Sequence, residues 1–195
     1  MESIEDINKK IYYCERCPGM ASLPLPMYIT ENFKGIVFIA RNPGVAKPEH
    51  GDFSNQTHLQ RFEYNELIKR YEDGLKKSNV GRFYARILEK LNISFDSIAI
   101  TNICKCATPE NRMLNKDEIN NCISHLKEQL HHIPHRKIIV FGGLAEEIMK
   151  KHFNYSFLVA PHPTYLEKYA HPSMRVLWVD TIVKYINEKG LGDYL

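Results

Sequence analysis

The sequence predicts an α/β protein: a three-layer α/β/α sandwich around a central, mainly parallel four-stranded sheet. Three observations lead there. Short, almost wholly apolar runs recur along the chain, segments of helical period lie between them, and turn-forming residues close the runs. A run that is apolar at every position reads as a strand buried on both faces, and such strands alternate with helices in parallel βαβ units.

The first run, Ile36 to Ala40, follows Lys34-Gly35 and stops at Asn42-Pro43-Gly44, a strand closed by a turn. Similar runs occupy Ser97 to Asn102, Lys137 to Phe141 and Ser156 to Ala160. Helical period marks Leu59 to Lys76, Arg82 to Leu91, Lys116 to Leu130, Leu144 to His152 and Met174 to Glu188. A chain of 195 residues can bury one good core and is short for two, so a single domain over 1–195 is expected. The opening segment, Met1 to Lys10, is charged with no apolar stretch after it, and no run approaches the length of a membrane span. An intracellular, cytoplasmic protein with no membrane partner follows as the expectation. The net charge of +3 and pI near 8.5 suit a polyanion partner without singling one out.

In open parallel sheets, ligands bind outside the carboxyl ends of the strands. The segments to inspect are therefore Arg41 to Gly44, Asn102 to Cys106, Gly142-Gly143 and Pro161 to Leu166, which hold nearly all the unusual chemistry of the chain. The five cysteines make an odd count, and an intracellular chain keeps its thiols reduced, so a metal or cluster is the better reading than a disulfide framework. Cys14 and Cys17 form a C-x2-C pair before the first strand. A second pair, Cys106 and Cys122, is widely spaced, unlike a zinc knuckle. One close and one wide pair suit a cubane iron–sulfur cluster, whose irons sit at separate corners. Cys104 and Cys106 lie two apart on an extended segment and face the same side, so either can serve as the third ligand.

Four segments, in order, carry a resemblance. They are the C-x2-C of Cys14 and Cys17; Ala40-Arg41-Asn42-Pro43-Gly44; Thr101-Asn102-Ile103-Cys104-Lys105-Cys106 running on to Asn111-Arg112; and His162-Pro163-Thr164-Tyr165-Leu166. In this order the chain resembles the family 4, iron–sulfur branch of the uracil-DNA glycosylase superfamily. Cys122 falls at that family's spacing after Cys106, which assigns Cys106 rather than Cys104 as ligand. His171-Pro172-Ser173 is a rival to the last motif but lacks its Leu. Three departures stand out. The family's Pro-Phe-Val-Gly segment, whose Phe stacks on the base, is displaced: Gly51-Asp52-Phe53 follows the first motif, whereas Asn79-Val80-Gly81 precedes the next helix. Arg41 replaces an acidic residue, and the Asn-Pro-Gly at 42–44 is similar to the mismatch-specific and single-strand-selective branches, in which the Asn positions the hydrolytic water.

The resemblance implies a monomeric DNA repair glycosylase that flips a deaminated base out of DNA and hydrolyses its N-glycosidic bond, with a 4Fe–4S cluster on Cys14, Cys17, Cys106 and Cys122. Breaking that bond leaves negative charge on the base, so the site must stabilise an anion and aim a water. His162 can donate to the base oxygen as a neutral imidazole. Asn42 can orient the water, although Asn is also an ordinary turn residue before Pro-Gly. The Asn102 amide can pair with the O4 and N3–H edge of uracil and refuse the reversed pattern of cytosine. Ala40 and Arg41 are expected beside the base, and Phe53 is expected to stack on it. Leu166 occupies the family's place for the wedge that props the emptied duplex, and Lys168, Arg112 and Gly143 are candidates for phosphate contacts. Three other readings stand beside this one: a nucleic-acid-binding cluster protein that has lost catalysis, a zinc protein of unrelated fold, and an enzyme acting on hypoxanthine or xanthine.

Overall fold

The structure, a computed structural model, describes residues 2–44 and 63–188. The four apolar runs form β1 (Ile36–Ala40), β2 (Ile98–Asn102), β3 (Lys137–Phe141) and β4 (Leu158–Ala160). They make one sheet in the order β2-β1-β3-β4, every neighbouring pair parallel. Two strands are shorter than expected. Ser97 belongs to a 3-10 turn ahead of β2, and Ser156 and Phe157 precede β4. Tyr28 adds an isolated antiparallel bridge to Ile100.

Among the described residues seven α-helices surround the sheet: α1 (Ile4–Tyr12), α2 (Tyr64–Lys77), α3 (Asn79–Leu91), α4 (Lys116–His131), α5 (Gly143–His152), α6 (Pro163–Lys168) and α7 (Pro172–Asn187). The pleat divides the core in two. Ile36, Phe38, Ile98, Ile100, Ile139 and Phe141 point into one layer with α2, α3, α6 and α7. Val37, Ile39, Ala99, Ile138 and Val140 point into the other with α4 and α5, and α1 packs on α4. Alternate residues on β1, β2 and β3 are buried on opposite faces, which is why the runs carry so few polar residues. Among the described residues no helix is long and apolar enough to cross a membrane.

The sequence reading omitted α1 and α6. Ser3 and Asp6 close a reciprocal capping box at the start of α1, and the apolar stripe Ile4, Ile7, Ile11 then has the helical spacing. The third helix starts three residues earlier than its periodicity suggests because Ser78 caps it through Gly81. A Cβ at Gly81 would stand 1.9 Å from the Leu75 carbonyl oxygen, so only glycine lets α3 begin against the end of α2.

Candidate active site and a cysteine-lined pocket

Strand register brings the expected site residues to one edge. Ala40 lies opposite Asn102, Ile39 opposite Val140, and Phe141 opposite Ala160. The four chains therefore leave the sheet at one level, and Asn102, Arg41-Asn42, Gly142-Gly143 and Pro161-His162 stand side by side above it. Only β3 separates β1 from β4, so the exits carrying Asn42 and His162 are roughly 10 Å apart, two strand spacings.

His162 is the N-cap of α6, and its Nδ1 accepts the Thr164 backbone N–H at 3.2 Å. An Nδ1 used as acceptor leaves the proton of a neutral imidazole on Nε2, where it can be donated. Burial, and secondly the charge of Arg41, hold the His162 pKa below its ordinary value and so favour that neutral form. His171 repeats the capping geometry on Ser173, but it is exposed and follows α6 rather than a strand.

Arg41 Nε donates to Asn42 Oδ1 at 2.6 Å, and Asn42 Nδ2 donates to the Pro43 carbonyl at 3.0 Å. The two bonds fix the plane of the amide and leave one lone pair of Oδ1 open. Asn102 is 7% exposed, and its side chain makes no hydrogen bond among the described residues. Ala40 contributes backbone, since its carbonyl accepts the Ile103 N–H at 2.9 Å. Gly142, at φ +93°, turns the chain from β3 into α5. No side chain caps that helix start, and Gly143 is exposed there.

Of the expected DNA contacts, Leu166 and Arg112 have surroundings other than open surface, whereas Lys168 is exposed. Leu166 is fully buried in the core beneath α6, because helical geometry turns its face inward, and Tyr165 is the exposed neighbour, at 47%. Arg112 is committed to Glu118, with Nη1 to Oε2 at 3.0 Å, and holds that carboxyl below the usual range. Lys168 is exposed at the far end of α6, its ammonium 5.2 Å from the Tyr169 ring centroid. Phe53 lies outside the described residues.

A pocket of about 320 Å³ opens on the α1–α4 side, and Cys14, Cys17, Cys106 and Cys122 all line it. Cys104 does not. It is buried, its Sγ 3.6 Å from the Glu118 carbonyl oxygen. Hydrogen bonding from the Cys104 thiol holds the Cys122 thiol below the ordinary range against the opposing effect of burial, and the Lys105 backbone N–H and ammonium add to it. Cys104 correspondingly keeps its proton, while burial raises Cys106 and Cys17. Among the described residues no three His, Cys, Asp or Glu side chains converge closely enough for a single metal ion. Four thiols around an open volume instead fit a polynuclear cluster, which needs its ligands at the periphery.

Three of the other residues that line this pocket carry polar groups close to the cysteines and had no role assigned from the sequence. On α4, Asn121 Nδ2 lies 3.5 Å from Cys17 Sγ and His125 Nε2 lies 3.4 Å from Cys14 Sγ. They are four apart, one on each side of Cys122, and that helical spacing to a ligand is the signal that could have found them. The third is Lys105, 1% exposed. Burial pushes its ammonium down to about 7, and the sulfurs of Cys122, Cys104 and Cys106 oppose that shift.

A profile of the Uracil DNA glycosylase superfamily matches residues 26–184. Among curated proteins, the chain is similar to a type-4 uracil-DNA glycosylase of Pyrobaculum aerophilum, 32% identical over 69 residues, 35% of this chain and 35% of that one. It is also similar to a type-4 uracil-DNA glycosylase of Archaeoglobus fulgidus, 23% identical over 158 residues, 80% of this chain and 68% of that one. The match thus spans about a third of the first relative and two thirds of the second.

Proposed function

The chain belongs to the uracil DNA glycosylase superfamily, and from that premise we propose that it releases uracil from DNA by hydrolysing the N-glycosidic bond of an extruded nucleotide. The observation that carries the proposal is the side-by-side exit of Asn42, Asn102 and His162 at the carboxyl edge of one parallel sheet.

Each group has a task that its surroundings suit. His162 donates from Nε2 to the base oxygen as the bond breaks, its Nδ1 being occupied by Thr164. A neutral donor aimed at the developing anion stabilises the transition state without first giving up a proton. The Arg41 guanidinium, close enough to depress the His162 pKa, adds positive charge beside the departing base. Asn42, pinned by Arg41 and Pro43, uses the open lone pair of Oδ1 to hold a water for the sugar. Orientation suffices when the bond is largely broken before water arrives. The Asn102 amide, without a hydrogen-bond partner among the described residues, reads the uracil edge, and the stacking ring is assigned to Phe53. The base must leave the duplex to reach these groups.

Cys14, Cys17, Cys106 and Cys122 are the proposed ligands of a 4Fe–4S cluster, which when bound supplies a covalent tie between the N-terminal segment, the β2–α4 loop and α4. The proposed partner is DNA carrying deaminated bases, met by a monomer inside the cell.

One observation favours a second reading, a cluster protein that binds nucleic acid without cutting: Arg41 already engages the Asn42 oxygen that would hold the water. Incubating the holo-protein with single-stranded and duplex oligonucleotides carrying uracil, hypoxanthine or xanthine, followed by alkali, separates the two. Excision yields cleavage at the uracil position. Retarded but uncleaved oligonucleotide supports the second reading.

A further inference from the structure

Lys105 belongs to the Thr101–Arg112 motif but has no part in the chemistry above. Its Nζ donates to Thr101 Oγ1 and to the Asn102 carbonyl, both at 2.7 Å, and to Gln129 Oε1 at 2.6 Å. The surrounding bonds fix the direction of these three. Thr101 Oγ1 spends its own proton on Gln129 Oε1 at 3.2 Å. Gln129 Nε2 donates to Asn8 Oδ1 at 2.7 Å, and Asn8 Nδ2 donates to the Met27 carbonyl at 2.9 Å. The Gln129 oxygen must therefore face Lys105, and three acceptors await three N–H groups, the complement of an ammonium.

None of those acceptors is charged, and no salt bridge to Lys105 occurs among the described residues. A buried cation without a counterion is costly. Its negative neighbours lie elsewhere. Lys105 lines the cysteine pocket, beside Cys106 in sequence and with its backbone N–H directed at Cys122, and a cluster held by four thiolates carries net negative charge.

We propose that Lys105 is the buried countercharge of the thiolate-bound cluster and, through its bond to the Asn102 carbonyl, a positioning residue for the base-reading amide. The cluster's charge keeps the cation in the interior, and the cation holds the end of β2. Losing the cluster strands the cation and loosens its hold on Asn102. The inference rests on the proposed cluster and excision, and it adds a link between them that neither requires.

The test compares thermal unfolding of the holo-protein and the cluster-stripped protein, in the parent and in Lys105→Met, with iron content and visible absorbance recorded for each. Met keeps most of the volume and none of the charge. Stripping the parent opens the pocket and strands a cation, whereas stripping Lys105→Met only opens the pocket. The Tm lost on stripping is therefore expected to be smaller in Lys105→Met by roughly 10 °C, and equal losses would overturn the proposal. If Lys105→Met does not fold, Lys105→Arg decides. The charge is kept and the head displaced, so iron stays at the parent's level while kcat falls roughly tenfold to a hundredfold. Parent-like kcat, or loss of iron, would overturn it. A parent that holds iron but releases no uracil removes the excision reading, and the Tm comparison still decides the countercharge.

Discussion

His162 has two separable tasks: Nδ1 caps α6 by accepting the Thr164 N–H, and Nε2 is the proposed donor to the base. His162→Asn separates them. The Asn side-chain oxygen sits about where Nδ1 does and can take over the cap, but nothing reaches the Nε2 position. His162→Ala loses both. Removing one donor to a developing anion costs about 10²–10³ in rate, so both variants are expected to release uracil about that much more slowly under single-turnover conditions. Losing a cap costs about 1 kcal/mol, which in a domain of this size lowers Tm by about 2–4 °C. That loss is expected in His162→Ala, while His162→Asn melts with the parent. Single-turnover release on a uracil duplex and a thermal melt read the two effects apart. If His162→Asn excised within about threefold of the parent, well inside that expected loss, Nε2 would not be the donor. If it melted as low as His162→Ala, the cap would not be the role of Nδ1.

Other perturbations reach the remaining parts of the site. Burial and Arg41 hold the folded-state pKa of His162 below its unfolded value, so the neutral donor persists as pH falls through 6.5, and the stability tied to it, complete above 6.5, is lost progressively as pH falls from there through the lower folded value. Arg41→Met removes the second cause, and the acid limb of kcat/KM should move to higher pH; an unmoved limb would separate Arg41 from His162. Leu166→Ala, at a fully buried position, should cost about 2–5 kcal/mol and lower activity only through folding. If the exposed Tyr165, rather than the buried Leu166, props the emptied duplex, Tyr165→Ala should change stability by less than about 0.5 kcal/mol yet slow release from duplex more than from single strands, and the reverse pattern would leave the wedge with Leu166. Cys17→Ala should lose iron, visible absorbance and several degrees of Tm, and a variant that kept its iron would take Cys17 out of the ligand set.

Much of the architecture was legible because burial on both faces leaves a plain mark. Val37, Ile39 and Phe38 serve two different core layers, and a strand doing so has no room for a polar residue. The helices hidden from that reading were short or led by charge: α1 begins among Glu5, Asp6, Lys9 and Lys10, and α6 has six residues. For the candidate site, the rule that ligands gather at strand ends pointed to Asn42, Asn102 and His162 together, because register alone puts them on one edge. Side-chain direction was not legible. Leu166 holds a motif position that suggests a surface role, but the turn of α6 carries it inward, and Arg112 meets Glu118 only because α4 starts with a capping box built on that residue. Nor could the sequence mark Lys105, since a lysine in a loop reads as solvated until its partners on β2 and α4 are known.

The central claim is that these strand ends release a base, not merely bind DNA. Chromatographic detection of free uracil from a uracil-containing oligonucleotide tests it most directly, using the iron-replete parent beside Asn42→Ala. Stoichiometric uracil from the parent, with a loss of about 10²-fold or more in the variant, is the expected result. Tight binding with no free uracil from either protein would contradict it.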